Sequence, residues 1–328
     1  MKKINLAIVG ATGMVGQTFL KVLEERNFQI DNLYLFSSKR SAGKKITFMN
    51  KEYTVEELTE TSFDRDIQIA LFSAGGSISE KFAPIAAKNG VVVIDNSSFW
   101  RMDDTVPLIV PEVNPEDVKN HNGIIANPNC STIQAVVPLK TLHDKYKIKR
   151  IVYSTYQAVS GSGVNGVLDL ENGIKGEKNT FYAKQIAYNS LPHIDVFEEN
   201  GYTKEEIKMI NETKKILNDN SLKVTATTVR VPVKNCHSES VNLEFYNEFE
   251  LDQLIDNLKQ TENLIVMNEN YPTVLDANDK DEVFVGRIRR DFSLDNGINM
   301  WIVADNIRKG AATNTVQIAE LLLKYNLV

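Results

Sequence analysis

Cys130, one of only two cysteines among 328 residues, lies in Asn127-Pro128-Asn129-Cys130-Ser131-Thr132-Ile133-Gln134, where a turn gives way to a helical pattern. A thiol at a helix start meets the positive end of the helix dipole and a cluster of backbone N–H groups, which favour the nucleophilic thiolate. The same donors suit an oxyanion on an attacked carbonyl. A buried structural role is the commoner fate of cysteine, but Asn129 through Thr132 reads as a helix start and not as a core strand. Of four histidines, His237 stands in Arg230-Val231-Pro232-Val233-Lys234-Asn235-Cys236-His237-Ser238-Glu239-Ser240, between two expected strands. A base there is suited to take a thiol proton and later to exchange protons with an intermediate. His121, His143 and His193 lack such surroundings and read as surface or packing residues. Cys236 has no helix-start context, so Cys130 is the expected nucleophile. Cys236 and His237 together would suit the beginning of a zinc site, but no further ligand cluster of suitable spacing accompanies them, and no metal is expected.

A second chemical feature opens the chain. Gly10-Ala11-Thr12-Gly13-Met14-Val15-Gly16 joins an apolar strand to a helical segment. Glycines there permit a tight turn, close approach of a pyrophosphate and close helix–strand packing. The spacing is G-x-x-G-x-x-G, a variant of the usual dinucleotide fingerprint. At the end of the second expected strand, Ser37-Ser38-Lys39-Arg40-Ser41 offers cations and hydroxyls where an NAD site usually places an acid. That composition suits a 2′-phosphate, so NADP is the expected cofactor; the bland reading is a solvated loop.

The elements that position these groups follow from periodicity. Ile4 to Val9, Leu33 to Ser37, Ile67 to Ser73 and Val91 to Asp95 are strand-like. They alternate with helical stretches Met14 to Arg26 and Glu80 to Asn89, the second following the Ser73-Ala74-Gly75-Gly76-Ser77 turn. This alternation implies βαβ units and a parallel sheet, and Ile124 to Ala126 is a further strand leading to the cysteine turn. The helix after Cys130 contains Pro138, which is expected to bend it or shorten its hydrogen bonding. From about residue 150 the strands lengthen: Ile151 to Ala158, Lys223 to Val233, Ser240 to Phe245 and Met300 to Ile307 suggest a mixed or antiparallel sheet. A polar helix, Lys204 to Leu217, interrupts them. A last helix, Thr315 to Tyr325, is apolar on one face and is expected to pack back on the first domain.

Composition bounds the class. The length suits two domains, and 42% hydrophobic with 24% charged residues is ordinary for a soluble globular chain. A net charge of −6 argues against a nucleic-acid or anionic-membrane surface. Two cysteines cannot form a disulfide framework and fit reduced cytosolic thiols. Met1-Lys2-Lys3 before Ile4 to Val9 faintly imitates a signal peptide, but the apolar run stops at Gly10. A soluble, cytoplasmic protein is expected.

Taken in order, Gly10 to Gly16, Arg40-Ser41-Ala42-Gly43-Lys44, Asp95-Asn96-Ser97-Ser98-Phe99-Trp100-Arg101, the cysteine octapeptide, Tyr156-Gln157-Ala158-Val159-Ser160-Gly161 and the Arg230 to Ser240 stretch resemble the aspartate-semialdehyde dehydrogenase family from end to end. The resemblance implies a Rossmann-type parallel-sheet NADP-binding domain, residues 1–127 with 314–328, and an α+β catalytic and dimerisation domain with a mixed sheet, residues 128–313. It implies that Cys130 attacks the acyl phosphate of L-aspartyl 4-phosphate and that NADPH reduces the resulting thioester. His237 would be the acid/base partner and Gln157 would orient the acyl group. Arg230 would hold the substrate carboxylate, Arg101 the phosphate, and Glu205 with Lys208 the substrate amino and phosphate groups, with Asn129 also at the substrate. Cofactor contacts are implied at Gly10, Thr12, Gly13, Met14, Val15, Ser38, Arg40, Ser41, Ser73, Gly75, Ser160, Gly161 and Gln317. A homodimer is implied, through the larger sheet of the second domain. One departure stands out: the family often has glycine where this chain has Cys236, so a positive φ there would strain the backbone. The rivals are an N-acetyl-glutamyl-phosphate reductase-like enzyme and a non-catalytic NADP-binding relative.

Overall fold

Six consecutive apolar residues cannot alternate between core and water, and Ile4–Val9 (β1) is accordingly buried along its whole length. The computed structural model describes residues 3–267 and 269–328; Met1 and Lys2, the start of the leader-like stretch, lie outside it. The chain forms two compact units, Met1–Pro128 with Ala311–Val328, and Asn129–Gly310.

In the first unit, β1 is followed by helix α1 (Met14–Glu25) and strand β2 (Ile30–Ser37). A hairpin, β3 (Lys45–Phe48) and β4 (Lys51–Glu57), precedes β5 (Ile69–Phe72), helix α2 (Gly76–Lys88), β6 (Val92–Asp95) and β7 (Ile124–Ala126). The sheet order is β3-β4-β2-β1-β5-β6-β7, parallel except for the β3–β4 pair. Sequence periodicity gives no hint of that hairpin. Its turn carries Met49 and Asn50, both at positive φ (47° and 59°), as a two-residue hairpin of this hand requires, but Met-Asn is not the usual Asn-Gly signal.

The second unit begins with helix α3 (Cys130–Tyr146) and strand β8 (Ile148–Gln157), then helices α4 (Gly163–Ile174) and α5 (Lys204–Ile216). Strands β9 (Lys223–Arg230) and β10 (His237–Phe245), helix α6 (Leu251–Lys259), β11 (Leu264–Met267), the short helix α7 (Val274–Ala277), β12 (Val283–Arg290) and β13 (Gly297–Ala304) complete it. Their order, β11-β12-β13-β10-β8-β9, is antiparallel at the centre and parallel at both edges, a mixed sheet. Helix α3 packs on β8, β10 and β13. It continues through Pro138 to Tyr146, so the proline does not end it.

One expectation needs correction. His237 does not lie between strands: it is the first residue of β10, opposite Ala304 of β13. The run His237-Ser238-Glu239-Ser240 hides the strand because its inward positions are polar. Helix α4 escapes sequence reading because Gly163, Gly166 and Gly173 interrupt its pattern.

The chain ends on helix α8 (Thr313–Lys324), which belongs to the first unit. Val316, Ile318, Ala319 and Leu322 join Ile4, Leu6, Phe19 and Leu23 in one buried cluster. Arg26 grips Glu320 with two hydrogen bonds, 2.8 and 2.7 Å. Among the described residues no helix is long and apolar enough to cross a membrane.

Candidate active site

Asn129 caps α3: its side-chain oxygen accepts the N–H groups of Ser131 (3.0 Å) and Thr132 (3.4 Å). Cys130 is the first helical residue and is half-buried, whereas Cys236 is buried. Gly310 makes room for it, since a Cβ there would fall 2.9 Å from the Cβ of Cys130. Sequence reasoning missed Gly310, which stands in no recognisable turn motif.

His237 Nε2 lies 3.2 Å from Cys130 Sγ. The imidazole is fully buried, and its other nitrogen, Nδ1, accepts the backbone N–H of Ala158 at 3.0 Å. Burial, with the Arg230 guanidinium adding to it, holds the ring well below the ordinary histidine range, so it is neutral at physiological pH. The connection from β9 to β10, which delivers His237, turns at Cys236, whose φ is +71°. Its strain is braced by Asn306, whose Oδ1 accepts the Cys236 N–H at 2.8 Å while Nδ2 donates to Ser160 Oγ at 3.0 Å. Burial, and to a lesser degree Asp305, pushes the Cys236 thiol far up, which keeps it protonated.

The remaining groups converge from β8, β9 and α5. Gln157 Nε2 donates to Ser131 Oγ at 2.5 Å and to Glu205 Oε1 at 3.3 Å. The same Glu205 oxygen accepts Asn129 Nδ2 at 2.9 Å, and its partner oxygen meets Lys208 at 3.3 Å across one helical turn. Glu212, missed by sequence reasoning, accepts the Asn129 backbone N–H at 2.6 Å. Arg230 donates to the Ala158 carbonyl at 2.7 Å, and its buried Nε has no partner among the described residues. A buried guanidinium donor left in this state suits an anionic ligand. Gly161 permits the cluster: a Cβ there would come 2.8 Å from an Arg230 nitrogen and 3.3 Å from His237 Nε2. Gly161, Ser160 and Asn306 therefore frame the histidine and arginine.

In the first unit, Gly10 has a φ of +89°, and a Cβ on it would sit 2.3 Å from the Ser73 carbonyl oxygen. A Cβ on Gly16 would sit 2.3 Å from the Gly10 oxygen, so only glycine allows this approach of helix and strand. Helices α1 and α2 start at Gly13 and Gly75 caps, with no side-chain hydrogen bond to their first turn. Helix starts of this kind suit a pyrophosphate. Met14 and Val15 open α1. Thr12 Oγ1 lies 2.9 Å from Ser37 Oγ and 3.4 Å from Ser41 Oγ, while Ser38 and Arg40 are exposed beside them. Gln317, on α8, donates to Glu112 at 3.0 Å. Arg101 is buried and fastened to the carbonyls of Asn127 (3.0 Å) and Asn96 (2.9 Å).

A thiol at a helix start, an imidazole on it and a glycine-tight βα turn are the parts of an acylating dehydrogenase. Residues 5–121 match the family model described as semialdehyde dehydrogenase, NAD binding domain, and residues 139–309 match semialdehyde dehydrogenase, dimerisation domain. The chain is 58% identical to the aspartate-semialdehyde dehydrogenase of Aquifex aeolicus, over 99% of both chains. This protein belongs to the aspartate-semialdehyde dehydrogenase family. The Bacillus subtilis member is 49% identical, again over 99% of both chains. Aspartate semialdehyde dehydrogenase II from Vibrio cholerae, solved in complex with ASA, superposes with a TM-score of 0.96 at 49% identity, covering 99% of each chain. A more distant member, the Candida albicans enzyme solved with NADP, gives 0.81 at 26% identity over the whole of both chains. The chain thus has an N-terminal NAD-binding domain of Rossmann type and a C-terminal dimerisation domain with a mixed sheet.

Proposed function

We propose that this chain catalyses the reversible, NADPH-dependent reductive dephosphorylation of L-aspartyl 4-phosphate to L-aspartate 4-semialdehyde. The observation that carries this reading is the Cys130–His237 pair at the start of α3, in a chain similar to aspartate-semialdehyde dehydrogenases along its whole length. Cys130 attacks the acyl carbon, the bond to the phosphate oxygen breaks, and a thioester remains. NADPH supplies the hydride that reduces it. Gln157, anchored by Ser131 and Glu205, orients the acyl group, and His237 is the acid/base partner of the thiol. Arg230 receives the substrate carboxylate, for which its unpartnered buried Nε is suited. Glu205, Lys208 and Asn129 serve the amino and phosphate groups, and Arg101 the phosphate.

NADP, not NAD, is assigned as cofactor because Ser37, Ser38, Arg40 and Ser41 cluster at the end of β2 and Thr12 approaches two of these hydroxyls; the Candida relative was solved with NADP. Cofactor contacts are assigned to Gly10, Thr12, Gly13, Met14, Val15, Ser73, Gly75, Ser160, Gly161 and Gln317 as well. The cofactor-binding domain is assigned to residues 1–127 with 314–328, and catalysis with homodimerisation to 128–313. The cytoplasm is the assigned location.

The test is phosphate-dependent reduction of NADP by aspartate semialdehyde, followed optically. Wild type should turn over, and Cys130→Ala should show no turnover while keeping its fold and NADP binding. Faster turnover of N-acetylglutamate semialdehyde would overturn the substrate assignment.

A further inference from the structure

We propose that Asp195 is a positioning residue that competes with the phosphate group for Lys208 and so sets how tightly the enzyme holds phosphate. The inference deepens the proposed function and rests on its assignment of Lys208 to the phosphate. Lys208 Nζ lies 2.7 Å from Asp195 Oδ2 and 3.3 Å from Glu205 Oε2. Two carboxylates on one ammonium leave an excess negative charge where a phosphate dianion has to be received. A third anion joins them only if one of the two yields, because like charges crowded on one cation repel.

The surroundings decide which one yields. Glu205 is buried, and its other oxygen accepts Asn129 Nδ2 at 2.9 Å and Gln157 Nε2 at 3.3 Å. Moving it would unpair two buried amides, so it stays. Asp195 stands on the connection between α4 and α5 with 34% of its side chain exposed. Its Oδ1 accepts the backbone N–H of Val196 at 2.9 Å, and water can take over the charge of Oδ2 when Lys208 turns away. Burial works against that charge, but the Lys208 hydrogen bond and charge outweigh it and hold the carboxyl below the ordinary aspartate range. Asp195 is therefore ionised at neutral pH and competes as an anion.

The pair is not a chance meeting of two surface side chains, because the segment that carries Asp195 is moored on both sides. Upstream, Leu191 exchanges two backbone hydrogen bonds with Arg230, 2.9 and 2.8 Å, which ties the segment to the end of β9 that carries the carboxylate-binding arginine. Downstream, the Val196 carbonyl accepts the Lys204 N–H at 2.9 Å, at the start of α5. Ile194, next to Asp195, is buried. Asp195 itself has φ +67°, a left-handed conformation that Asp and Asn tolerate better than other side chains with a Cβ. Asp195→Asn accordingly removes the charge while keeping the shape and the backbone.

The test compares wild type, Asp195→Asn and Lys208→Met, each loaded with NADP. Binding of inorganic phosphate is measured by isothermal titration calorimetry, and its KM in the oxidative reaction by kinetics. Asp195→Asn should tighten phosphate by about two- to fivefold in both measurements, the size of one partly exposed ion pair. Its kcat and its KM for aspartate semialdehyde should stay within about twofold of wild type, since only phosphate binding changes. An unchanged phosphate affinity would overturn the competition, and so would a weaker one, which would make Asp195 a brace for Lys208 instead. If Asp195→Asn does not fold, Asp195→Gly, which suits the same φ, is read in the same way. Lys208→Met should lose phosphate affinity by about tenfold or more. Full affinity in that variant would remove Lys208 from the phosphate, and the assignment in the proposed function would fall together with this inference. Lost affinity there, with Asp195→Asn unchanged, would overturn this inference alone.

Discussion

Cys236 shows how a single dihedral separates the two thiols. Its φ of +71° is a position that favours glycine, and its neighbours Ala277, Phe284 and Val303 enclose it in apolar surroundings. Held protonated there, it is a poor nucleophile, whereas Cys130 sits half-buried at a helix start against His237. Cys236→Gly is expected to keep substantial activity, because relief of about 1–2 kcal/mol of left-handed strain offsets the lost packing of a small side chain. Near-total loss of turnover in that variant would reopen the choice of nucleophile. The residue type and its place at a helix start were legible in the sequence. The hydrogen bond from Ala158 was not, because a backbone donor leaves no trace in residue identity.

At the scale of elements, the glycines of the βα turn are fixed by backbone contact. Gly16→Ala forces a methyl group to 2.3 Å from the Gly10 oxygen, so α1 must shift off β1. A destabilisation of about 1–3 kcal/mol is expected, together with weakened NADP binding, measurable by denaturant unfolding and by titration. An unchanged variant would mean that α1 does not approach β1 as described. Strand β10 carries a second element-scale test. Glu239 is fully buried, neither carboxyl oxygen has a partner in hydrogen-bond geometry among the described residues, and burial pushes its carboxyl well above the usual range, with Gln134 opposing. The native state therefore keeps a proton that the unfolded chain releases above roughly pH 4. The stability this residue contributes is present in acid and lost as pH rises through that window. Glu239→Gln should accordingly gain on wild type between roughly pH 4 and pH 7, and urea unfolding at both values checks it. A constant difference would show that the carboxyl is ionised in the fold.

At the scale of the molecule, the chain leaves the first unit after Pro128 and returns to it at Ala311, so α8 completes a core begun by β1. Sedimentation should give twice the monomer mass, as the match of residues 139–309 to a dimerisation domain requires. A stable monomer at micromolar concentration would contradict the dimer. The return of the last helix was legible because its apolar face, Val316, Ile318, Ala319 and Leu322, needs a partner surface. The β3–β4 hairpin and the strands β11 and β12 were not read. Their patterns are short, and the β3–β4 turn uses left-handed Met and Asn in place of glycine.

The sequence by itself determined what depends on local chemistry: a parallel α/β beginning, a strand-rich second part, a glycine turn for a dinucleotide and a thiol at a helix start. Those follow from periodicity and from residue types whose backbone or side-chain behaviour is intrinsic. Tertiary structure alone decided which distant groups meet. His237 entered a strand because Ala304 and Tyr156, on the flanking strands, pair with it and with Ser238. Gln157, Glu205 and Asn129 became one hydrogen-bonded set only when β8, α5 and the start of α3 closed on each other. The Cys130–His237 contact spans 107 residues of chain and is set by packing, which no local window records.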